Sequence, residues 1–140
     1  MYLLDTNVIS ELRKARAGKA DLHVAAWAAP VPLTQLFVSV ISIHELEIGV
    51  LLAERRDPRQ GRLLRTWLDD RVVAGFGSRI LPVDIAVVRL SARLHVPDPR
   101  PFRDALIAAT ALVHGMTVVT RNVADFKPTG VPLVNPWTPE

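Results

Sequence analysis

Short apolar runs without charge punctuate this chain: Tyr2 to Leu4, Leu36 to Ile41 (LFVSVI) and Met116 to Thr120 (MTVVT). A strand with one wet face alternates apolar and polar residues, whereas continuous runs of this kind suit strands covered on both faces. Segments with helical spacing separate them. Strands separated by helices pair in parallel through right-handed crossovers, which places the chain in the α/β class.

Further elements follow from local signals. Helices are expected from about Asn7 to Arg13 and from Ala20 to Ala28, the second stopped before Pro30. Ser42 opens a helix reaching about Arg56. The next runs from about Arg59 to Val73, with Leu63, Leu64, Trp67, Leu68 and Val72 on its apolar side and Gly75 and Gly77 at its end. Arg79 to Pro82 reads as a strand. Asp84 caps a helix whose apolar positions include Ile85, Val88, Leu90 and Ala92. Pro97, Pro99 and Pro101 stiffen a loop, and Pro101 suits the start of a helix from Phe102 to His114 that Gly115 ends. A last strand covers Pro132 to Val134. No repeat or linker divides the 140 residues, so they are expected to form a single domain, 1–140.

Composition narrows the chemistry. The chain has no cysteine, which excludes a disulfide framework, a thiol nucleophile and cysteine-ligated metal sites, and which fits a reducing compartment. MYLLDTNV has no basic leader. His23 to Ile43 lacks Asp, Glu, Lys and Arg, but Pro30 and Pro32 break it, so no membrane span is expected and the cytoplasm is the expected location. The net charge is +3.

Ligands of open parallel sheets sit at the carboxyl ends of the strands. Asp5 ends the first run, Glu45 follows LFVSVI, and Asp125 follows MTVVT through a short loop. Asp104 opens the helix before that strand. Each has an ordinary structural role open to it. Asp5, with Thr6 and Asn7, suits a helix cap. Ser42-Ile43-His44-Glu45 has the spacing of a capping box. Asp104 is a first-turn acid and Asp125 a turn residue. Together, four carboxylates at one sheet edge repel, and such a cluster persists when a cation neutralises it. Oxygen-only donors suit Mg²⁺, or Mn²⁺, which can activate a water and stabilise charge on a scissile phosphate. With these four set aside, 17 basic residues face 10 of the 14 acids, a balance that suits a polyanion partner.

LLDTNVIS, SVISIHELEIGV and DALIAATALVHGMTVVTRNVADF, in that order, resemble the PIN-domain ribonucleases, specifically toxins of the VapC and FitB type. The resemblance covers essentially the whole chain. It implies a three-layer α/β/α sandwich around a mainly parallel sheet of four or five strands. It also implies Mg²⁺-dependent hydrolysis of RNA phosphodiesters, homodimerisation, and neutralisation by a small antitoxin. The family's acidic positions fall on Asp5, Glu45, Asp104 and Asp125, and its polar helpers on Thr6, Asn7, Thr120 and Asn122. Asp5 and Asp104 are then expected to hold the metal most directly. Asp98, in the proline loop, offers a second acid six residues before Asp104; Asp104 is preferred because it opens the helix of the family pattern.

Arg103, Arg121 and Lys127, beside the acids, are candidate RNA contacts, and Arg13 and Lys14 close the first helix. No aromatic-rich stacking stretch is visible. His44-Glu45 lacks the second histidine of a zinc-protease helix, because position 48 is Ile. Trp27 and Trp67 read as core or dimer surface. A receiver-like signalling domain also gathers acids at parallel strand ends, but LFVSVIS offers no phosphoacceptor aspartate. A phosphatase with an aspartate nucleophile usually needs a second carboxylate where Asn7 stands. A non-catalytic RNA-binding domain would have no need of the intact acidic set.

Overall fold

The computed structural model describes residues 1–138. Five strands form: β1 (Tyr2–Leu4), β2 (Leu36–Ser39), β3 (Ile80–Leu81), β4 (Thr117–Val119) and β5 (Leu133–Val134). They make one sheet in the order β3-β2-β1-β4-β5, and every neighbouring pair is parallel. Tyr2 pairs with Leu36 on one side of β1, and Leu4 with Val119 on the other.

The helices are α1 (Thr6–Arg13), α2 (Leu22–Ala28), α3 (Val40–Arg56), α4 (Pro58–Thr66), α5 (Ala74–Phe76), α6 (Ile85–Leu94), α7 (Phe102–His114) and α8 (Val123–Phe126). Strand geometry sends successive side chains to opposite sheet faces. Leu4, Val38 and Val119 therefore meet Val8 and Ile9 of α1 and Leu46 and Val50 of α3. Leu3 and Val118 meet Ile107, Ala108 and Ala111 of α7 and Phe126 of α8. Two apolar cores on the two faces of one sheet give the α/β/α sandwich. No helix among the described residues is long and apolar enough to cross a membrane.

Two expectations need correction. The strand read through Ile41 stops at Ser39, whose hydroxyl accepts from the Ile41 N–H at 3.0 Å and caps α3. Ser42 is consequently inside the helix, and Glu45 lies in its second turn, so Ser42 and Glu45 form no capping box. The helix expected from Arg59 to Val73 begins at Pro58, after an Asp57 cap, and becomes a wide π turn over Trp67–Val73 before α5. Within that turn Leu68 and Val72 stay buried while Asp69, Asp70 and Arg71 face solvent.

Gly61 sets how closely α4 approaches α3. A Cβ there would fall 2.5 Å from Glu54 Cα, so a larger residue would force the helices apart. Arg65 fastens the same pair, reaching Glu47 at 2.6 Å and Glu54 at 3.1 Å.

The strand order positions the site. From β1 the chain goes on to its neighbour β2, and from β4 it goes on to β5 on the opposite side. The carboxyl ends of β1 and β4 therefore flank the point where the order reverses, the usual crevice for ligands in open α/β sheets.

A carboxylate cleft at the carboxyl edge of the sheet

Asp5 is the first residue beyond β1 and is only 5% exposed. Its N–H still extends the sheet, donating to the Val119 carbonyl at 2.9 Å. The carboxylate caps α1: Oδ1 accepts from the Thr6 N–H at 2.8 Å. Oδ2 accepts from the Thr120 hydroxyl at 2.8 Å and from Asn7 Nδ2 at 3.3 Å. Three of roughly four acceptor positions on a carboxylate are thus filled, and the free one lies on Oδ1. Cap and candidate ligand are the same side chain.

Thr120 is the first residue beyond β4 and is fully buried. Its hydroxyl also accepts from the Asn122 N–H at 2.9 Å, which ties the loop after β4 to Asp5. Asn7 Oδ1 accepts from the Arg121 N–H at 3.4 Å and adds a second tie. The Thr6 hydroxyl donates to Ser42 Oγ at 3.0 Å, joining α1 to α3.

Asp5, Glu45 and Asp104 line one cleft of about 630 Å³ with Thr6, Asn7, Phe102, Arg103 and Asn122. Glu45 comes from α3 and Asp104 from the first turn of α7, which the fold brings to the same edge. Arg103 Nη1 lies 3.6 Å from Glu45 Oε2. The electrostatics record crowding. Burial, and then the charges of Asp5, Asp125 and Glu45, push the Asp104 carboxyl up to about 6. Burial raises Asp5, against the hydrogen bonds from Thr120, Thr6 and Asn7. Burial also raises Glu45, partly offset by the Thr6 hydroxyl and then increased by the Asp5 charge. Burial is the main reason each acid resists ionising, and neighbouring carboxylate charges add to it.

Asp125 stands apart. It lies on α8, exposed, and is not among the residues lining the cleft, although its charge is felt by Asp5 and Asp104. Lys127 is exposed just beyond it. The Arg121 guanidinium lies 5.2 Å from the centre of the Trp137 ring, which places a tryptophan that the sequence leaves unassigned. Asp98 is exposed in the proline loop and does not line the cleft. Of the basic candidates, Arg103 alone is a cleft residue.

Two contributors escape a reading of the sequence. Ser42 looks like a cap, but it is fully buried and partners Thr6. Its spacing three residues before Glu45 puts both on one face of α3, a signal available in principle. Phe102 looks like an ordinary apolar residue at a helix start, yet it lines the cleft and is 70% exposed.

A parallel α/β sheet with a buried aspartate at its switch point, and two further acids facing it from helices, defines an acid-centred α/β domain. The chain belongs to the PIN domain family, whose pattern matches residues 2–129. It is 35% identical to the VapC ribonuclease Y4jK of Sinorhizobium fredii, covering 99% of each chain. It is 34% identical to the toxin FitB of Neisseria gonorrhoeae, covering 98% of this chain and 99% of that one. The crystal structure of FitAcB from Neisseria gonorrhoeae superposes with a TM-score of 0.88 at 33% identity, over 98% of this chain and 99% of that one.

Proposed function

We propose that this protein is a Mg²⁺-dependent endoribonuclease of the toxin type, held in check by a small antitoxin and acting in the cytoplasm as a homodimer. The observation that carries the metal is the gathering of Asp5, Glu45 and Asp104 in one cleft, where burial raises all three and neighbouring carboxylate charges add to it. A cluster that opposes its own ionisation favours a bound cation. RNA and the antitoxin rest on the relatives named ribonuclease and toxin.

The donor chemistry fits. Among the described residues no three His, Cys, Asp or Glu side chains converge to hold a metal unaided. Mg²⁺ does not ask for that: it keeps several waters and takes one or two carboxylates plus substrate phosphate. Asp5 and Asp104 are the two that would hold it. Bound there, such a cation lowers the pKa of a coordinated water and neutralises charge on the scissile phosphate.

The other roles belong to the chain's own groups. Thr120, Asn7 and the Thr6 N–H fix the Asp5 carboxylate, so its open lone pair is aimed rather than free to rotate. Glu45, whose carboxyl burial raises, is the cleft acid suited to accept a proton from the attacking water. Asp125 at the rim acts through water, and Asn122 hydrogen-bonds at the cleft wall. Arg103 neutralises Glu45 until substrate arrives and then meets a phosphate. Arg121 and Lys127 follow the strand outside the cleft.

The test is cleavage of total RNA by the purified protein with Mg²⁺, with chelator, and after Mg²⁺ is restored. Cleavage that stops in chelator and returns with Mg²⁺ is expected. Cleavage indifferent to chelator would contradict the proposal.

A further inference from the structure

Among the described residues the aromatic side chains are buried or half-buried with one exception, Phe102, which is 70% exposed. An exposed ring leaves apolar surface in water, and covering it would remove that surface from solvent. The location of this ring is specific. Phe102 is the first residue of α7 and lines the cleft with Arg103, Asp104, Asp5 and Glu45.

Its support is fixed. The His95 ring packs alongside it, with centroids 6.4 Å apart and planes 28° from parallel. His95 is itself held, because its Nδ1 accepts from the Arg100 N–H at 3.1 Å. The Pro101 carbonyl accepts from the Ala105 N–H at 3.0 Å, which closes the first turn of α7 beneath the ring. The ring is flat and apolar, neighbours His95 on one side and is otherwise largely open to solvent.

We infer that Phe102 is a stacking platform for an unpaired nucleobase of the RNA strand, next to the scissile phosphate; this rests on the ribonuclease reading above. A strand whose phosphate enters the cleft beside Arg103 brings its bases next to the ring that lines the same cleft. Every base presents a π face, so this contact positions the strand without selecting sequence. A base inside a duplex is already stacked on both sides, so the platform takes loops, bulges and single strands. One ring at the cleft is enough to seat one base, so the platform needs no aromatic-rich stretch.

The test compares cleavage of a single-stranded oligoribonucleotide by the wild type and by Phe102→Ala, Phe102→Leu and Phe102→Trp in Mg²⁺. A series of RNAs, each with one abasic nucleotide, is run in parallel. Phe102→Ala and Phe102→Leu are expected to lower kcat/KM roughly 5- to 150-fold, the equivalent of the ~1–3 kcal/mol of one base–aromatic stack. Phe102→Trp should stay near wild type. At one abasic position, wild type and Phe102→Ala should become equal, a coupling that a merely structural role would not produce. Equal cleavage of the complete RNA by wild type and Phe102→Ala would overturn the platform and leave the ribonuclease reading intact. So would a defect in Phe102→Ala that persists at every abasic position. A wild type that cleaves no RNA would overturn both.

Discussion

The Thr120 hydroxyl donates to Asp5 Oδ2 at 2.8 Å, joining residues 115 positions apart at the carboxyl ends of adjacent strands. Both side chains are buried, and the bond lies where the strand order of the sheet reverses. It makes the pairing of β1 with β4 and the orientation of the central carboxylate one structural fact. The same hydroxyl accepts from Asn122, so the loop after β4 depends on it too.

Thr120→Val keeps the shape of the residue and removes both bonds. A buried group left without its partner costs about 1–3 kcal/mol, so urea unfolding should show a loss of that order. Loss of a residue that orients a metal-binding carboxylate typically lowers activity ~10–100-fold, and RNA cleavage should fall by a similar factor. A valine variant as active as the wild type would show that Asp5 needs no such orientation.

Legibility in the sequence followed the physics of each feature. The parallel sheet was readable because LFVSVI and MTVVT are continuous apolar runs, and burial on both faces leaves no other pattern. That Asp5 and Glu45 would share one edge was readable because acids just after strands have a defined destination in such a sheet, and Asp104 because it opens the helix that leads into a neighbouring strand. The end of β2 was not readable, because Ser39 and Ser42 both suit a cap and only three-dimensional packing chooses between them. The wide turn over Trp67–Val73 was hidden because its apolar spacing passes for ordinary helix. Phe102 escaped notice because exposure belongs to the folded chain and no local pattern encodes it. Asp125 lies at the right edge, but it sits exposed on α8 and does not line the cleft.

The acid cluster should give the metal-free protein a distinctive pH dependence. Asp104 ionises at about 6 when folded against 3.8 as the reference value, so the fold binds this proton more tightly than the unfolded chain does. Its stabilising contribution is complete below the reference value and is lost as pH rises through the folded one. Asp104→Asn removes the loss. In chelator, the variant should match wild type in Tm near pH 3 and exceed it at pH 7. Asp104 is half-exposed and solvent screens it, so the gain at pH 7 is about 1 kcal/mol, or roughly 3–5 °C. Mg²⁺ should raise the wild type and leave the variant nearly unmoved. Calorimetry across this range checks the claim; a variant less stable than wild type at pH 7 in chelator would refute it.

Gly61→Ala should destabilise the protein at a distance from the chemistry. The added Cβ meets the Glu54 backbone at 2.5 Å, and neither helix can yield without disturbing the Arg65 ion pairs. Overpacking of this kind costs about 1–3 kcal/mol. Thermal unfolding should show it, with the cleavage rate of the folded fraction unchanged. Unaltered stability would mean that α3 and α4 do not pack as closely as described.

The central claim is that Asp5, capped into place and sharing its cleft with Asp104 and Glu45, holds the divalent cation that makes this protein a ribonuclease. Asp5→Asn keeps the size of the side chain and removes its charge. The decisive measurement pairs RNA cleavage in Mg²⁺ with calorimetric titration of Mn²⁺, on a variant whose circular dichroism matches wild type. The account predicts a folded protein that neither cleaves RNA nor binds Mn²⁺ at the wild-type affinity. A folded Asp5→Asn that cleaves RNA at the wild-type rate would contradict it.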